Sequence, residues 1–372
     1  MLRFKDLLAS GLRSRGMTVE VLAPRRILVG KNANHGKGLW KWLGYMDKWI
    51  LFPLSLRRVV RKRQREFADS IRYHVCDHSN AYYLSHLPKD QTGITCHDVL
   101  AIRGALGYPD AYCAASRAGV VLQRWILNHL RTSQRIACVS RLTLRHLCEV
   151  TGETIPRPGW VTLHNALNAA FGKIDISEAI SILKRQGIFV PRPFLLHVGS
   201  NLPRKNRRML LQIIKQNSPP WPGHLCFAGE PVDGLLSKEA AELGILDRIH
   251  SVTNPNHRTL CSLYSLADAL VFPSFSEGFG WPLIEAQACG TPVIASNVEP
   301  LPEISGGAAL HADPHNEQAF ASAVLTLKHA ATRKSLIEGG FKNVGRFGLA
   351  PMIDKYLALH EWDYRSGNLA GV

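Results

Sequence analysis

The sequence lacks any arrangement of cysteines that would indicate a disulfide framework or a zinc site. Eight cysteines are spread over 372 residues, and no two of them form a C-x-x-C pair. The chain is long enough for two domains with cores of their own, and in such a chain scattered cysteines are typical of free thiols. This pattern favours a reducing, cytoplasmic location.

Long hydrophobic runs are also missing. The longest candidate, residues 49–56, lies between Lys48 and Arg57 and is far shorter than the roughly 20 residues that cross a bilayer. The first residues contain no run of signal-peptide length, because Asp6 and Arg13 interrupt them. The sequence therefore predicts neither a membrane-spanning helix nor a secretory signal.

Acidic residues are scarce in the first half of the chain. Residues 1–160 hold 26 Lys and Arg against 11 Asp and Glu, a net charge of +15, whereas residues 161–372 hold 19 against 18. The cations peak in residues 57–65, directly after the tryptophan-rich segment 39–52. Tryptophans beside cations predict peripheral contact with an anionic membrane. The alternative is a core helix with a solvated basic face. Nucleic acid is not predicted, because no nucleic-acid-binding motif accompanies the cations.

Short apolar runs alternate with helical patterns, which is typical of α/β domains with parallel sheets. We expect a first domain over residues 1–180 and a second over residues 190–345, with the boundary marked by Pro191 and Pro193. The predicted strands lie at 18–22, 71–76, 92–96, 135–140 and 161–165 in the first domain, and at 194–199, 224–228, 269–272 and 293–296 in the second. An amphipathic helix over 350–364 ends the pattern.

The most informative stretch reads EGFGWPLIEAQACGTP and begins at Glu277. Glu285 stands eight positions later, across a glycine-containing loop that opens a short helix. Pro282 suits the first helical turn, where its missing N–H costs nothing. Since apolar runs lie on either side, at 269–272 and 293–295, the stretch predicts a strand, loop, helix and strand of a parallel sheet.

The start of this predicted helix has the properties of a phosphate site. The N–H groups from Gly280 to Leu283 would face a ligand beyond the strand end. Gly278 and Gly280 allow the backbone to approach that ligand closely. Glu277 can accept hydrogen bonds from ligand hydroxyls, and Glu285 can accept both hydroxyls of a ribose. The alternative is a glycine turn with two solvated or capping glutamates.

The complete pattern resembles the E-x7-E signature of retaining GT-B glycosyltransferases of the family-four, or glycosyl transferases group 1, type. In that family the first Glu lies by the donor sugar and the second binds the nucleotide ribose. The resemblance implies that Glu277 is catalytic and that Glu285 binds ribose. It also implies that sugar and phosphate are held by the backbone of Gly278, Phe279, Gly280 and Leu283.

A second motif, SNLPRKN, occupies residues 200–206 after the first predicted strand of the second domain. A loop with two cations at a helix N-terminus can hold a pyrophosphate, although similar basic turns occur on many protein surfaces. The motif resembles the P-R-K-N variant of the family, whose Lys contacts the diphosphate. The resemblance implies that Lys205 is catalytic and that Arg204 contributes to substrate binding.

A third candidate, His97, lies in the sequence TCHD at the end of the predicted strand 92–96. A lone histidine is more often structural than catalytic, but a strand end that faces a cleft favours a functional role. The sequence resembles the H-D pair of the family, whose His lies by the donor sugar at the reaction centre. The resemblance therefore implies that His97 is catalytic.

The resemblance covers residues from about 5 to about 362 and implies an α/β, GT-B fold, in which two Rossmann-like domains face each other across a cleft. The final helix crosses back onto the first, acceptor-side domain. The family begins one unit earlier, with a strand and a glycine-rich loop. That first strand is missing here, so we expect either a true start upstream of Met1 or a shortened homologue.

The function implied is transfer of a mannose- or glucose-type hexose, with retention, from a nucleotide-diphosphate sugar to a polysaccharide or lipid-linked glycan at the inner membrane face. The sequence has no D-x-D and no cluster of metal-ligating His or Cys, so no metal and no other cofactor is expected. Two alternatives stay open. One is a non-catalytic relative that acts as a scaffold or partner, and the other is a GT-B phosphorylase or sugar-nucleotide epimerase.

Overall fold

A computed structural model describes residues 2–24, 43–44, 46–218 and 220–361 of the chain. Within these residues the strands form two parallel sheets, one of four strands and one of six. The first sheet ends at Thr162 and the second begins at Phe194. The chain is therefore an α/β protein with two parallel-sheet domains.

The first sheet has the order β1-β2-β3-β4. Buried apolar residues of β2 and β3 pack against the helices that follow them, which explains why these short runs form central strands. The strands are β1 (Tyr73–Val75), β2 (Thr92–Cys96), β3 (Arg135–Cys138) and β4 (Trp160–Thr162). The helices are α1 (Leu2–Arg13), α2 (Phe52–Phe67), α3 (Leu100–Ala105), α4 (Arg117–Leu130) and α5 (Arg141–Thr151).

The second sheet has the order β10-β9-β8-β5-β6-β7. Two buried apolar clusters cover its two faces, as in doubly wound sheets. Its strands are β5 (Phe194–Gly199), β6 (His224–Gly229), β7 (Ile249–Thr253), β8 (Ala269–Phe272), β9 (Val293–Ser296) and β10 (Leu310–Ala312). The helices are α6 (Ile176–Arg185), α7 (Arg207–Gln216), α8 (Gly234–Glu242), α9 (His257–Leu266), α10 (Trp281–Ala288), α11 (Leu301–Ser305), α12 (Glu317–Thr326), α13 (Ala330–Val344) and α14 (Leu349–Leu359).

The strand order of the second sheet reverses direction at β5, and this reversal indicates where a ligand would bind. β5 lies between β6 and β8, so the chain moves outward in one direction from β5 to β7 and then returns to β8 on the other side. Ligands of open parallel sheets bind at such a switch point, outside the carboxyl ends of the strands. The loops that follow β5 and β8 are the two that carry the motifs predicted from the sequence.

The prediction of a strand over residues 18–22 was wrong. This segment joins neither sheet, and Val21 and Leu22 are 41% and 38% exposed. Glu20 instead pairs with Arg63 of α2 at 2.9 Å. The alternation of apolar and polar residues is too short to form a strand without a neighbouring edge to bury it.

Two strands were not predicted, β7 and β10. Both lie at edges of the second sheet, and each buries only one residue fully, Val252 in β7 and Ala312 in β10. Because an edge strand needs few apolar residues, its sequence shows no continuous apolar run. The tertiary contact with β6 or β9 decides its structure.

The last helix of the chain, α14, packs against the first domain. Met352, Ile353 and Tyr356 share an apolar cluster with Phe4 of α1 and Ala137 of β3. The Tyr356 hydroxyl lies 2.8 Å from Thr95 Oγ1 of β2. The C-terminal helix therefore links the second domain back to the first sheet. No helix within the described residues is both long and apolar enough to cross a membrane.

Candidate active site

Glu277 lies in the loop between β8 and α10, with its carboxylate between two cations. Lys205 Nζ is 2.6 Å from Glu277 Oε1, and Arg204 Nη1 is 2.8 Å from Oε2. Both cations come from the short turn after β5. Because β5 and β8 are parallel neighbours, their carboxyl ends meet at one edge of the sheet. This places groups that are 72 residues apart in the sequence in direct contact.

The two cations decide the charge of Glu277, which is only 6% exposed. Burial by itself would raise the pKa of its carboxyl, but the charges and hydrogen bonds of Lys205 and Arg204 outweigh burial and hold that pKa below its usual value. Glu277 is therefore ionised at neutral pH. The three groups together carry one net positive charge, which a diphosphate can neutralise.

Aromatic rings beneath Lys205 fix its position. Its Nζ lies 4.6 Å from the ring centroid of Phe272, the last residue of β8. His197 packs on the same ring, and its Nδ1 donates a hydrogen bond to the Val271 carbonyl oxygen, 3.1 Å away. Burial lowers the pKa of His197 to about 3, so this ring is neutral beside the ammonium. The predicted cation is thus held by a carboxylate and an aromatic face.

Glu285 is buried at a separate place, within α10. The Tyr264 hydroxyl donates to its Oε2 at 2.9 Å, and Asn168 Nδ2 donates to its Oε1 at 3.1 Å. Burial raises the pKa of the Glu285 carboxyl, although both hydrogen bonds and the charge of Arg3 act in the opposite direction. A carboxylate fixed in this way keeps lone pairs for further donors, such as two neighbouring hydroxyls.

The loop that follows Glu277 contacts the first domain. The Gly278 carbonyl oxygen accepts hydrogen bonds from Ser140 Oγ at 2.8 Å and Thr143 Oγ1 at 3.2 Å. A Cβ atom on Gly278 would lie 2.2 Å from the carbonyl oxygen of His97. Only glycine fits at this position. The sequence predicted a close approach between this backbone and a ligand, and in the structure the backbone also closely approaches the first domain.

His97 is buried at the end of β2, next to the Gly278 loop. Its Nε2 lies 3.0 Å from the Cys76 carbonyl oxygen and therefore donates to it, whereas Nδ1 has no partner among the described residues. Phe4 packs edge-on against the ring, with centroids 4.8 Å apart. Burial lowers the pKa of His97 to about 4. His97 thus offers a neutral acceptor nitrogen at pH 7.

The other residues predicted at the loop take different positions. Gly280 caps α10 with a φ of +102°. Phe279 is 5% exposed, in an apolar cluster with Val139 of the first domain and Phe347. Leu283 is fully buried, and its N–H donates to the Gly280 carbonyl oxygen at 3.1 Å. We expected this N–H to face a ligand, and that detail was wrong because the first turn of the helix already uses it.

The N-terminus of α5 binds the second domain at a further point, which sequence reasoning missed. The Arg141 N–H lies 3.3 and 3.2 Å from the two carboxylate oxygens of Glu303, and His164 Nε2 lies 2.6 Å from Oε1. An anion at a helix N-terminus is stabilised by the helix dipole. The same turn of α5 therefore binds both the Gly278 carbonyl and Glu303, and it fixes the loop relative to His97.

Within the described residues, no group of three or more His, Cys, Asp or Glu side chains is placed to hold a metal ion. The positive charges at the candidate site come from Lys205 and Arg204.

This geometry agrees with the comparisons with known proteins. Residues 180–343 match the family described as "Glycosyl transferases group 1". The O-antigen chain mannosyltransferase B of Escherichia coli is 35% identical over an alignment of 307 residues that covers 79% of this chain and 74% of that protein. The chain belongs to the glycosyl transferases group 1 family. It is a glycosyltransferase, as the resemblance predicted, and the alternative of a non-catalytic relative is not supported.

Solved structures confirm the GT-B fold. A sucrose-phosphate synthase from Thermosynechococcus elongatus superposes with a TM-score of 0.68 at 20% identity, covering 96% of this chain and 92% of that one. WaaG, a glycosyltransferase involved in lipopolysaccharide biosynthesis, superposes with a TM-score of 0.61 at 17% identity, covering 95% of this chain and 94% of that one. At these identities the likeness concerns the fold alone.

Several residues at the site could not be found by sequence reasoning. Tyr264 and Asn168 hold Glu285, yet Tyr264 lies in the last turn of α9 and Asn168 in the connection after β4. Ser140 carried a local signal, since a serine before a helical pattern indicates an N-cap. Its second role, on the Gly278 carbonyl, depends on how the two domains meet.

Proposed function

We propose that this glycosyltransferase moves a mannose- or glucose-type hexose, with retention, from a nucleotide-diphosphate sugar to a polysaccharide or lipid-linked glycan. The observation that carries the proposal is the buried cluster of Lys205, Arg204 and Glu277 at the carboxyl ends of β5 and β8. The similarity to a protein named as an O-antigen chain mannosyltransferase supports the sugar class and a lipopolysaccharide-type acceptor.

The donor roles follow from charge and hydrogen-bonding capacity. Lys205 and Arg204 bind the diphosphate and stabilise the negative charge that develops on the leaving phosphate. The diphosphate competes with Glu277 for these cations, which frees the carboxylate to accept hydrogen bonds from sugar hydroxyls. Glu285 accepts the hydroxyls of the ribose. We propose that these cations replace a metal ion, so that transfer requires no metal or other cofactor.

The acceptor enters over the first domain. His97 lies against the sugar loop, and its neutral Nδ1 can accept a hydrogen bond from the transferred sugar. For retention, the acceptor hydroxyl attacks the face of the sugar from which the phosphate leaves. A donor phosphate oxygen accepts the hydroxyl proton in this step, so we assign no protein nucleophile.

The donor half of the proposal is tested by calorimetric titration of the purified protein with UDP, GDP and ADP, each without added metal. We expect saturable binding of one nucleotide, because the two cations and Glu285 recognise diphosphate and ribose in any of them. The preferred nucleotide then identifies the base. Failure of a folded protein to bind any of the three contradicts the proposed donor site.

The basic helix α2 supports a peripheral membrane location for the acceptor side, near the inner membrane face. Leu56 and Val60 pack on Tyr83, so the opposite face of α2 is exposed. Leu54 and, just before α2, Ile50 are each 51% exposed. The exposed cations of this face are Arg57, Arg58, Arg61, Lys62 and Arg65. Residues 39–42 and Tyr45 of the predicted membrane segment lie outside the described residues.

We expect the protein to bind vesicles that contain phosphatidylglycerol and to be released by salt. Each cation near an anionic surface contributes about 1 kcal/mol, so reversing Arg58, Arg61 and Arg65 to Glu should weaken the partition coefficient by more than about two orders of magnitude. Reversing three exposed lysines of the second domain to Glu is the matched control: Lys215, Lys238 and Lys334. Equal binding by both triple variants, or none by the wild type at low salt, contradicts the proposal.

A further inference from the structure

Three aromatic rings form a continuous stack that joins the two domains. The rings of Tyr112 and Phe275 lie 4.8 Å apart at an interplanar angle of 13°, and those of Phe275 and His315 lie 4.8 Å apart at 30°. Tyr112 comes from the first domain, in the connection between α3 and α4, whereas Phe275 and His315 come from the second. Tyr112 is 41% exposed, and His315 is also exposed. The two outer residues of the stack are thus in contact with water.

The second-domain half of the stack is fixed to the cluster of cations. The N–H of Phe275 donates to the Arg204 carbonyl oxygen at 2.8 Å. Asn206 Nδ2 donates to the carbonyl oxygen of Pro314, next to His315, at 2.9 Å. Phe275 also precedes Glu277 by two residues. The stack is therefore adjacent to the groups proposed to bind diphosphate and sugar, and it is hydrogen-bonded to the segment that carries the two cations.

The first-domain half is held by a buried cation and a glycine. Arg103, which is 5% exposed, binds Asp110 at 2.7 Å and packs over the ring of Tyr108. A Cβ atom on Gly104 would lie 1.8 Å from the carbonyl oxygen of Cys113, so the loop lies directly on α3. These contacts hold Tyr112 from both sides along the chain.

The backbone of Tyr112 is in an unfavourable conformation. Its φ is +46°, in the left-handed region that a non-glycine residue adopts at a cost of about 1 kcal/mol or more. In this conformation the Tyr112 ring stacks on Phe275 of the second domain. A strained, exposed aromatic residue beside a site indicates a binding role.

We propose that Tyr112, Phe275 and His315 form a platform on which a pyranose ring of the acceptor glycan packs, with Tyr112 as its exposed end. The apolar C–H face of a sugar covers an aromatic face, while the sugar hydroxyls stay in water or bind polar groups. The platform rests on the proposed function, since it extends the same site from donor to acceptor.

The first test measures glycan binding without turnover. The wild type is titrated with an α-linked mannotriose and with maltotriose, in the absence and presence of the nucleotide found by calorimetry. We expect one trisaccharide to bind about tenfold more weakly to Tyr112→Ala and to Phe275→Leu, because each removes ring contact. Tyr112→Phe keeps the ring and should bind as the wild type does. Phe189→Ala, at an 81% exposed aromatic residue elsewhere, is the control.

The second test separates a binding platform from a structural latch. With the trisaccharide that binds used as the acceptor, Tyr112→Ala should raise its KM about tenfold, whereas kcat at saturating trisaccharide and the Kd of the nucleotide should stay within about twofold of the wild-type values. An equal loss of nucleotide affinity would instead identify a nucleobase contact or an interdomain latch and overturn the proposal. Unchanged glycan binding in both variants, or none by the wild type, also overturns it.

Failure of the donor assignment gives a different result. In that case the wild type would bind no nucleotide. The glycan titration without nucleotide does not depend on nucleotide binding, so it still tests the platform.

Discussion

Replacing Lys205 with alanine is expected to lower turnover by about two to three orders of magnitude, because the leaving diphosphate loses a preorganised cation in a buried site. Glu277→Ala should lower turnover by a similar factor through loss of its contact with the sugar. Neither change should unfold the protein, since the apolar clusters on both faces of the second sheet stay intact. Steady-state kinetics and a thermal melt measure the two effects separately.

The two variants should differ in nucleotide affinity, which distinguishes their roles. Lys205→Ala removes a positive charge and should weaken nucleoside diphosphate binding. Glu277→Gln leaves Lys205 and Arg204 without their buried carboxylate, so a diphosphate should bind as tightly as before or more tightly. Lys215→Ala, an exposed lysine of α7, is the control and should change neither quantity. Near-normal turnover in both Lys205→Ala and Glu277→Ala would contradict the assignment of the site.

Glu285→Ala should weaken binding of the preferred nucleoside diphosphate by about a hundredfold. Hydrogen bonds to a charged group contribute roughly 1.5–3 kcal/mol each, and the substitution also leaves Tyr264 and Asn168 without their partner. Glu285→Gln retains the volume of the side chain and tests the charge alone. Calorimetry gives the dissociation constants. Equal affinities for wild type and Glu285→Ala would show that the ribose binds elsewhere.

The raised pKa of Glu285 predicts a pH dependence for the same measurement. Only the carboxylate can accept two ribose hydroxyls, so nucleotide affinity should rise with pH as Glu285 ionises, at a pH above the ordinary pKa of a glutamate side chain. The free energy of unfolding should change in the opposite direction. The pKa of Glu285 is higher in the folded than in the unfolded state, so its protonation stabilises the protein at low pH. This contribution is lost as the pH rises from the unfolded-state pKa through the folded-state pKa. Both dependences should be absent in Glu285→Gln.

The sequence predicted those residues of the candidate site that share a short motif. Glu277, Gly278 and Gly280 stand in one loop, and their types show that the backbone must approach a neighbour closely. Lys205 and Arg204 stand in another loop. The alternation of strands and helices placed both loops at strand ends. The sequence therefore placed both loops at the carboxyl ends of parallel strands, whereas their direct contact depends on β5 and β8 being neighbours, which the structure decided.

The sequence did not predict the residues from distant segments that contact the site residues. Phe272 beneath Lys205, Tyr264 on Glu285 and Ser140 on the Gly278 carbonyl have ordinary residue types for a strand end, a buried helix and an N-cap. Their second contacts cross between elements or between domains. No local periodicity records such a contact, so its discovery requires the packed structure.

The sequence by itself determined the family motif, the α/β alternation and the unequal distribution of charge, because residue type and spacing directly encode each of these. Tertiary structure decided that residues 18–22 form no strand and that β7 and β10 do, since edge strands depend on a neighbour for burial. It also decided the charge state of Glu277 and the stack from Tyr112 to His315. Both are properties of groups that only folding brings together, where burial and direct contact set the energies.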